Sequence, residues 1–485
     1  NVHRVRALMD EVFGEDNFQG QIFFKTTSGL GAEFLSGVGD YIIWFAKDRS
    51  KVKYRQLFQP SGLEQDVGNR FTRVQTPEFL RRPMNKLERA HVPDALAKIH
   101  VYRHDNIKSQ SGGTTTSFDI PYEGLRLKRG KGFWKTTSAG VTRLGHSFRL
   151  GYPTTNSIAY VRFIDDVAVT PINGLWTDTQ TGAFTDDKTY VVQTNTKVIE
   201  RCLLMTTDPG DLVLDPTCGS GTTATVGEQW GRRWITIDTS RVALALARAR
   251  IMGAKYPWYL LKDSQNGQKK EAEVTRSAPA TADTYNDIRH GFVYHRVPHI
   301  TLKSIATNLE IDEIWEQRQP AVEDARAALN TSLSGQSDLF PVDTGGRASK
   351  DIDFTALGEA EMPSGEMAPA NGFMEWEIPR EPGTPWPRDQ QSLFAAARTW
   401  EEDATPAKRR KAEAALNELN TLRGTAWDFD TLPDRPVTSW PEDAVTALED
   451  FWKARIARQT EIDASIAAKA EFEYLYDKPY EDKKR

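Results

Sequence analysis

An α/β fold is predicted for this 485-residue chain, and three features of the sequence predict it. The apolar run Leu212-Val213-Leu214 passes through Asp215 into a loop of small residues, Pro216-Thr217-Cys218-Gly219-Ser220-Gly221, and then into a helix-forming stretch. A second run, Trp234-Ile235-Thr236-Ile237, precedes a helical pattern from Arg241 to Ile251 that opens on Ser240, a favourable N-cap. Near the start, Gln21-Ile22-Phe23-Phe24 and the run Asp40 to Ala46 flank a Gly- and Ser-rich turn and read as buried strands.

In chain order, Val5, Leu8, Met9 and Val12 give the first residues a helical period, so residues 1–50 read helix, strand, loop, strand. Residues 51–175 are basic, dotted with aromatics and broken by Gly112-Gly113, Gly130, Gly132, Gly140 and Gly145, the pattern of an inserted region. Residues 176–265 return to α/β: a helix from Lys197 to Met205, the two strands around the glycine loop, and a third strand, Trp258-Tyr259-Leu260-Leu261. Residues 266–331 connect, and residues 332–390, dominated by Gly, Pro, Ser and Asp, read as loop-rich or poorly ordered. Residues 391–485 read as largely helical. Thr405-Pro406 opens and Gly424 closes one helix, and a second begins at Ser439-Trp440-Pro441 with Leu448, Trp452 and Ile456 as its core stripe.

Composition narrows the functional classes. Hydrophobic content of 39% with 27% charged residues is that of a globular protein, and no apolar run reaches the roughly 20 residues of a membrane span. The opening Asn1-Val2-His3 has no basic-then-apolar leader, and both ends read as cut from a longer chain, so a fragment is expected. Cys202 and Cys218 are the only cysteines, too few for a disulfide scaffold or a cysteine-based zinc site, and a reducing cytoplasm is expected. His290, His295 and His299 lie in a basic setting without metal-ligand spacing, so no metal is expected.

The net charge of −5 conceals an asymmetry. Residues 51–150 carry 19 Lys and Arg against 8 Asp and Glu, the gathered positive charge that a duplex-binding surface needs. Within that stretch Lys128, Arg129, Lys131, Trp134 and Lys135 set aromatics among cations, a composition suited to gripping phosphates and stacking on bases. A solvated basic face with Trp134 in a local core is the competing reading.

The glycine loop carries the chemistry. Gly219 and Gly221 let backbone approach a ligand closely, yet Gly221 is followed by Thr222-Thr223 and not by the Lys of a phosphate-binding loop. An acid, Asp215, ends the first strand, where it can receive an ammonium group. Asp238 ends the second, 23 residues on, at the spacing of an acid that takes ribose hydroxyls. An adenosine end and a cationic amino-acid end together describe S-adenosylmethionine. A dinucleotide is the rival ligand, but the run Asp-Pro-x-Cys-Gly-Ser-Gly-Thr is not its fingerprint.

Those residues, Asp215-Pro216-Thr217-Cys218-Gly219-Ser220-Gly221-Thr222, resemble motif I of the DNA amino-methyltransferases that act on adenine N6 or cytosine N4. The likeness continues through Trp234 to Asp238 and through Tyr259-Leu260-Leu261-Lys262-Asp263-Ser264, and by it Asp238 holds the ribose and Asp263 lies near the adenine. Thr194, Asn195 and Thr196 occupy the place of motif X, where the family usually has Lys-Pro. Cofactor motifs that follow the basic region resemble the β class and the modification subunits of type III restriction systems. The resemblance implies a Rossmann-like methyltransferase sheet in permuted motif order, with an inserted target-recognition region and a largely helical C-terminal region.

The same resemblance implies double-stranded DNA as substrate, S-adenosylmethionine as cofactor, and a restriction subunit or a second copy as partner. In that family an Asp/Asn/Ser-Pro-Pro-aromatic loop holds the target amine of a flipped base. No Pro-Pro pair occurs in this sequence. Family order puts that loop just before Asn1, so no catalytic residue is assigned and this stretch of chain is expected to be inactive alone. Adenine N6 is the expected target. A cytosine-N4 or RNA methyltransferase on the same fold, or a non-catalytic DNA-binding module that retains the cofactor site, are the alternatives.

Overall fold

The computed structural model describes residues 2–27, 34–60, 70–90, 99–154, 157–166, 169–180, 194–275, 277–278, 282–401 and 405–482. The chain divides into two units, each assembled from separated stretches of sequence: residues 1–66, 167–299 and 472–485 form the first, residues 67–166 and 300–471 the second. No described helix is long and apolar enough to cross a membrane.

The first unit is mixed α/β. Helix α1 (Val2–Phe13) precedes β1 (Phe18–Lys25), which pairs antiparallel with β2 (Gly39–Phe45) and parallel with β3 (Leu175–Trp176). Helix α2 (Thr196–Thr206) leads to β4 (Leu212–Asp215), α3 (Thr222–Gln229), β5 (Arg233–Thr236) and α4 (Arg241–Gly253). Strands β4 and β5 run parallel, with Leu212 opposite Arg233 and Asp215 opposite Thr236. The core gathers Ile22, Leu57, Trp176, Val198, Leu204, Val226 and Trp230.

The apolar runs of β4 and β5 are open on one face, with Leu212, Leu214, Ile235 and Ile237 52, 61, 48 and 52% exposed. One face of the pair, with Val213, meets the core, while the alternate face stands open among the described residues. Residues 258–261 form no continuous strand: Tyr259 and Leu261 make isolated bridges, to Glu481 and Phe292. The paired strands on that side are β6 (Tyr294–His299) and β7 (Glu471–Pro479).

The second unit differs from an insert confined to 51–175. Residues Phe58–Pro60 and Val169–Pro171 pair with each other inside the first unit, so only residues 67–166 leave it, and residues 300–471 join them. A five-stranded sheet runs in the order 150–151, 159–163, 100–105, 73–75, 81–83. Beside it pack two long helices, α5 (Glu310–Leu333) and α6 (Glu442–Ala468), whose Ile311, Ile314, Ile462 and Ile466 enter one core with Ile107, Trp134 and Leu144. The helix expected after Thr405 runs Pro406–Arg423 and ends on Gly424 in the left-handed conformation.

Residues 332–390 are ordered, contrary to the sequence reading. Phe340, Val342, Ile352, Phe354, Phe373 and Ile378 form a buried cluster with residues of α5 and α6. Phe340/Val342 and Ile352/Phe354 alternate only over single pairs among Gly, Pro and Asp, too briefly to announce strands, and tertiary burial holds them in place.

Candidate cofactor site

The site grows from β4. Where that strand ends, the Asp215 carboxylate accepts the backbone N–H of Thr217 at 3.0 Å and so starts the turn. Gly219 and Gly221 both lie at positive φ, 50° and 77°, and Gly221 is the N-cap of α3. A side chain at Gly221 would meet strain from its φ and stand 2.8 Å from the Cβ of Ala247, so glycine lets α4 lie against the helix start.

Asp238 ties the two strand ends together. Its carboxylate accepts the N–H of Gly219 at 2.9 Å and that of Ser240 at 2.8 Å. These backbone donors, Ser240 first, hold its pKa below the usual carboxylate value, so it stays ionised. Each carboxylate oxygen has a second lone pair, so a partly exposed Asp238 can still accept from a diol. The Cys218 N–H reaches the Ile237 carbonyl at 2.9 Å, closing the loop onto β5. Cys218 is 5% exposed and burial raises its pKa, so this thiol packs and does not react.

Arg250 on α4 was not anticipated from the sequence. It donates to the hydroxyls of Thr222 at 3.0 Å and Ser220 at 3.4 Å, pinning two buried residues of the loop. Nothing in the spacing of 28 residues signals that pairing. Asp178 was also missed: it receives Lys197 at 2.6 Å and Arg201 at 2.8 and 2.7 Å at the start of α2. Burial pushes its pKa up, but the Arg201 and Lys197 hydrogen bonds outweigh that and hold it at about 2.

The remaining sequence candidates fall as follows. Thr194 is exposed, while Asn195 caps α2, its side chain accepting the Lys197 N–H at 2.8 Å just ahead of Thr196, the first helical residue. Pro216 and Thr217 are exposed on the loop. The Asp263 carboxylate is engaged elsewhere, accepting the N–H groups of Tyr285 and Asp287 at 3.1 and 2.9 Å. Among the described residues no hydrogen bond joins it to the glycine loop. His295 stacks on Tyr480, and His299 Nδ1 lies 2.7 Å from Glu473.

The basic turn of the second unit separates into two kinds of residue. Lys128, Lys131 and Lys135 are exposed, and Arg129 donates to the Gly132 carbonyl at 2.9 Å. Trp134 is 2% exposed and its indole N–H bonds the Phe118 carbonyl at 2.7 Å. Its ring fills the core and is not available to stack on a base, which corrects its place among the DNA-contacting candidates.

Residues 1–249 match the family model N6_N4_Mtase, described as DNA methylase. Over 292 residues the chain is 22% identical to the probable type III restriction-modification enzyme HindVI Mod subunit of Haemophilus influenzae, covering 51% of this chain and 39% of that one. Over 294 residues it is 23% identical to the type II methyltransferase M.EcaI of Enterobacter cloacae, covering 60% and 57%. Among solved structures, that of the M1.HpyAVI-SAM complex matches at 20% identity over 20% of this chain and 52% of that one, with a TM-score of 0.15. The chain spans less than two-thirds of the length of these curated relatives.

Proposed function

Because this chain belongs to the N6/N4 family of DNA methylases, we propose that it carries the cofactor-handling part of a restriction-modification DNA methyltransferase acting on an exocyclic amine, adenine N6. The observation that carries this reading is Asp238, an ionised acid at the end of β5 that is fixed to the N–H of Gly219 on the neighbouring loop.

The residues present fit S-adenosylmethionine. Asp238 offers free lone pairs to the ribose hydroxyls, Asp215 offers a carboxylate to the ammonium group, and Gly219 to Thr222 offer bare backbone between them. Bound there, the cofactor supplies an electrophilic methyl group on a sulfonium. Asp263 is left out of this set, since among the described residues no hydrogen bond joins it to the glycine loop and its Oδ2 holds the turn at 285–287. Asn195 and Thr196 contribute by starting α2. The target amine requires the Pro-Pro loop absent from this sequence, so transfer is proposed for the whole enzyme, on double-stranded DNA and with a restriction subunit as partner.

Support comes also from the exposed Lys128, Lys131 and Lys135, placed to meet phosphates in a target-recognition role for residues 67–166. The test is calorimetric titration of the chain with S-adenosylmethionine beside an Asp238→Ala variant. One-site binding that weakens by roughly a hundredfold in the variant is expected, the loss of about 3 kcal/mol for a charged acceptor of two hydroxyls. Absence of binding to folded protein, or equal binding by the variant, removes the cofactor assignment. Chromatographic analysis of DNA methylated by the whole enzyme then decides between N6-methyladenine and N4-methylcytosine.

A further inference from the structure

Helix α4 lies against the glycine loop, and little apolar burial holds it there. Its buried residues are Ala243 and Ala247, while Val242, Leu244 and Met252 are 65, 41 and 80% exposed. Two alanine methyl groups contribute little hydrophobic energy, so polar contacts and shape decide how the helix sits.

Those contacts lie at both ends of the helix. At its start, the Ser240 N–H reaches the Asp238 carboxylate at 2.8 Å and the Ser240 hydroxyl accepts the Ala243 N–H at 3.3 Å. Further along, Ala247 stands so close that a Cβ on Gly221 would come within 2.8 Å of its own. One turn on, Arg250 Nη1 donates to Thr222 Oγ1 at 3.0 Å and to Ser220 Oγ at 3.4 Å. Residues 243, 247 and 250 follow the spacing of one helical face. The helix thus joins the acid that follows β5 to the two residues that flank Gly221.

Arg250 meets those two residues from the protein side, since Ser220 and Thr222 are 4 and 7% exposed. Their hydroxyl oxygens stand 3.5 Å apart, so one guanidinium nitrogen gathers both flanks of Gly221. Among the described residues no carboxylate forms an ion pair with Arg250, and these hydroxyls are its acceptors. A hydrogen bond from a charged donor is stronger than one between neutral groups. Gly221 itself, at φ 77°, has the widest backbone freedom, so the shape of the loop depends on what holds its neighbours.

We propose that Arg250 is a positioning residue for the cofactor. Without touching the ligand, its guanidinium holds Ser220 and Thr222 so that the backbone from Gly219 to Thr222 is already shaped for the amino-acid end of S-adenosylmethionine, and binding does not have to order it. This rests on the cofactor reading of Asp215 and Asp238.

The experiment titrates S-adenosylmethionine by calorimetry into the chain and into Arg250→Met, Arg250→Lys, Thr222→Val and the double variant Arg250→Met with Thr222→Val, and takes a urea midpoint for each. Met keeps the apolar stem, Lys keeps a charged donor, and Val removes the hydroxyl at nearly unchanged shape. Arg250→Met is expected to bind roughly tenfold more weakly, Arg250→Lys to recover part of that loss, and the double variant to bind no more weakly than Arg250→Met, since both changes remove one contact. A role in stability alone lowers the urea midpoint and leaves the affinity of the folded protein at the parent value, which overturns the proposal. Losses that add in the double variant, or no recovery with Lys, overturn it too. Parent affinity in Arg250→Met beside weakened binding in Asp238→Ala removes the role of Arg250 and leaves the cofactor reading standing, whereas no binding by the folded parent removes both.

Discussion

A methyl group on Gly221 would have to pass 2.8 Å from the Cβ of Ala247 on a backbone already at φ 77°. Gly221→Ala is therefore expected to cost about 1–3 kcal/mol, read as a lower urea midpoint, and to weaken S-adenosylmethionine binding as the loop shifts. At Trp134 the expectation reverses the one a DNA contact would give. Trp134→Ala empties a buried site and is expected to lose about 3–5 kcal/mol of stability, while Lys131→Ala leaves the urea midpoint unchanged. Residue-scale legibility follows from locality. The turn at Asp215, Gly219 and Gly221 was readable because one short loop forms it, whereas Arg250 and Asp178 act across folded distance and leave no trace in spacing. Trp134 was misassigned as a contact because cations beside an aromatic look the same whether the ring faces water or core.

Helix α2 depends on charge at its first turn. Asp178 accepts Lys197 and Arg201, and its folded pKa of about 2 lies below its ordinary 3.8. A depressed carboxylate pKa contributes stability that is present above about pH 4 and lost as pH falls through 4 toward 2. The urea midpoint of Asp178→Asn should therefore lie below that of the parent at pH 7, with the gap narrowing below about pH 4. A gap that does not change with pH would show that the ion pair is not what stabilises the helix start. Elements with a cap or a continuous period were legible: α4 behind Ser240, and the 406–423 helix between Thr405 and Gly424. Residues 258–261 have the composition of a strand but pair at single residues only. The 340–378 cluster lacks a sustained period, and its burial depends on α5 and α6.

Across the whole chain, the basic window at 51–150 overlaps a separate compact unit, but the boundaries of that unit are set by pairings that sequence does not display. Phe58–Pro60 meets Val169–Pro171, and residues 300–471 complete the second unit. If the exposed lysines meet DNA phosphates, replacing Lys128 and Lys131 together should lower the slope of log affinity against log salt by about 1–2 at unchanged cofactor affinity, measured by fluorescence anisotropy. Strand β7 adds a consequence of a different kind. It pairs with β6 in the first unit, although the 171 residues from Ile300 to Ala470 separate the two. At roughly 5–20 residues per second, a ribosome spends about 10–30 s making that intervening stretch. For that interval the nascent first unit presents the edge of β6 without its partner, a window in which chaperone capture or pairing with a neighbouring chain on the same polysome competes with correct closure.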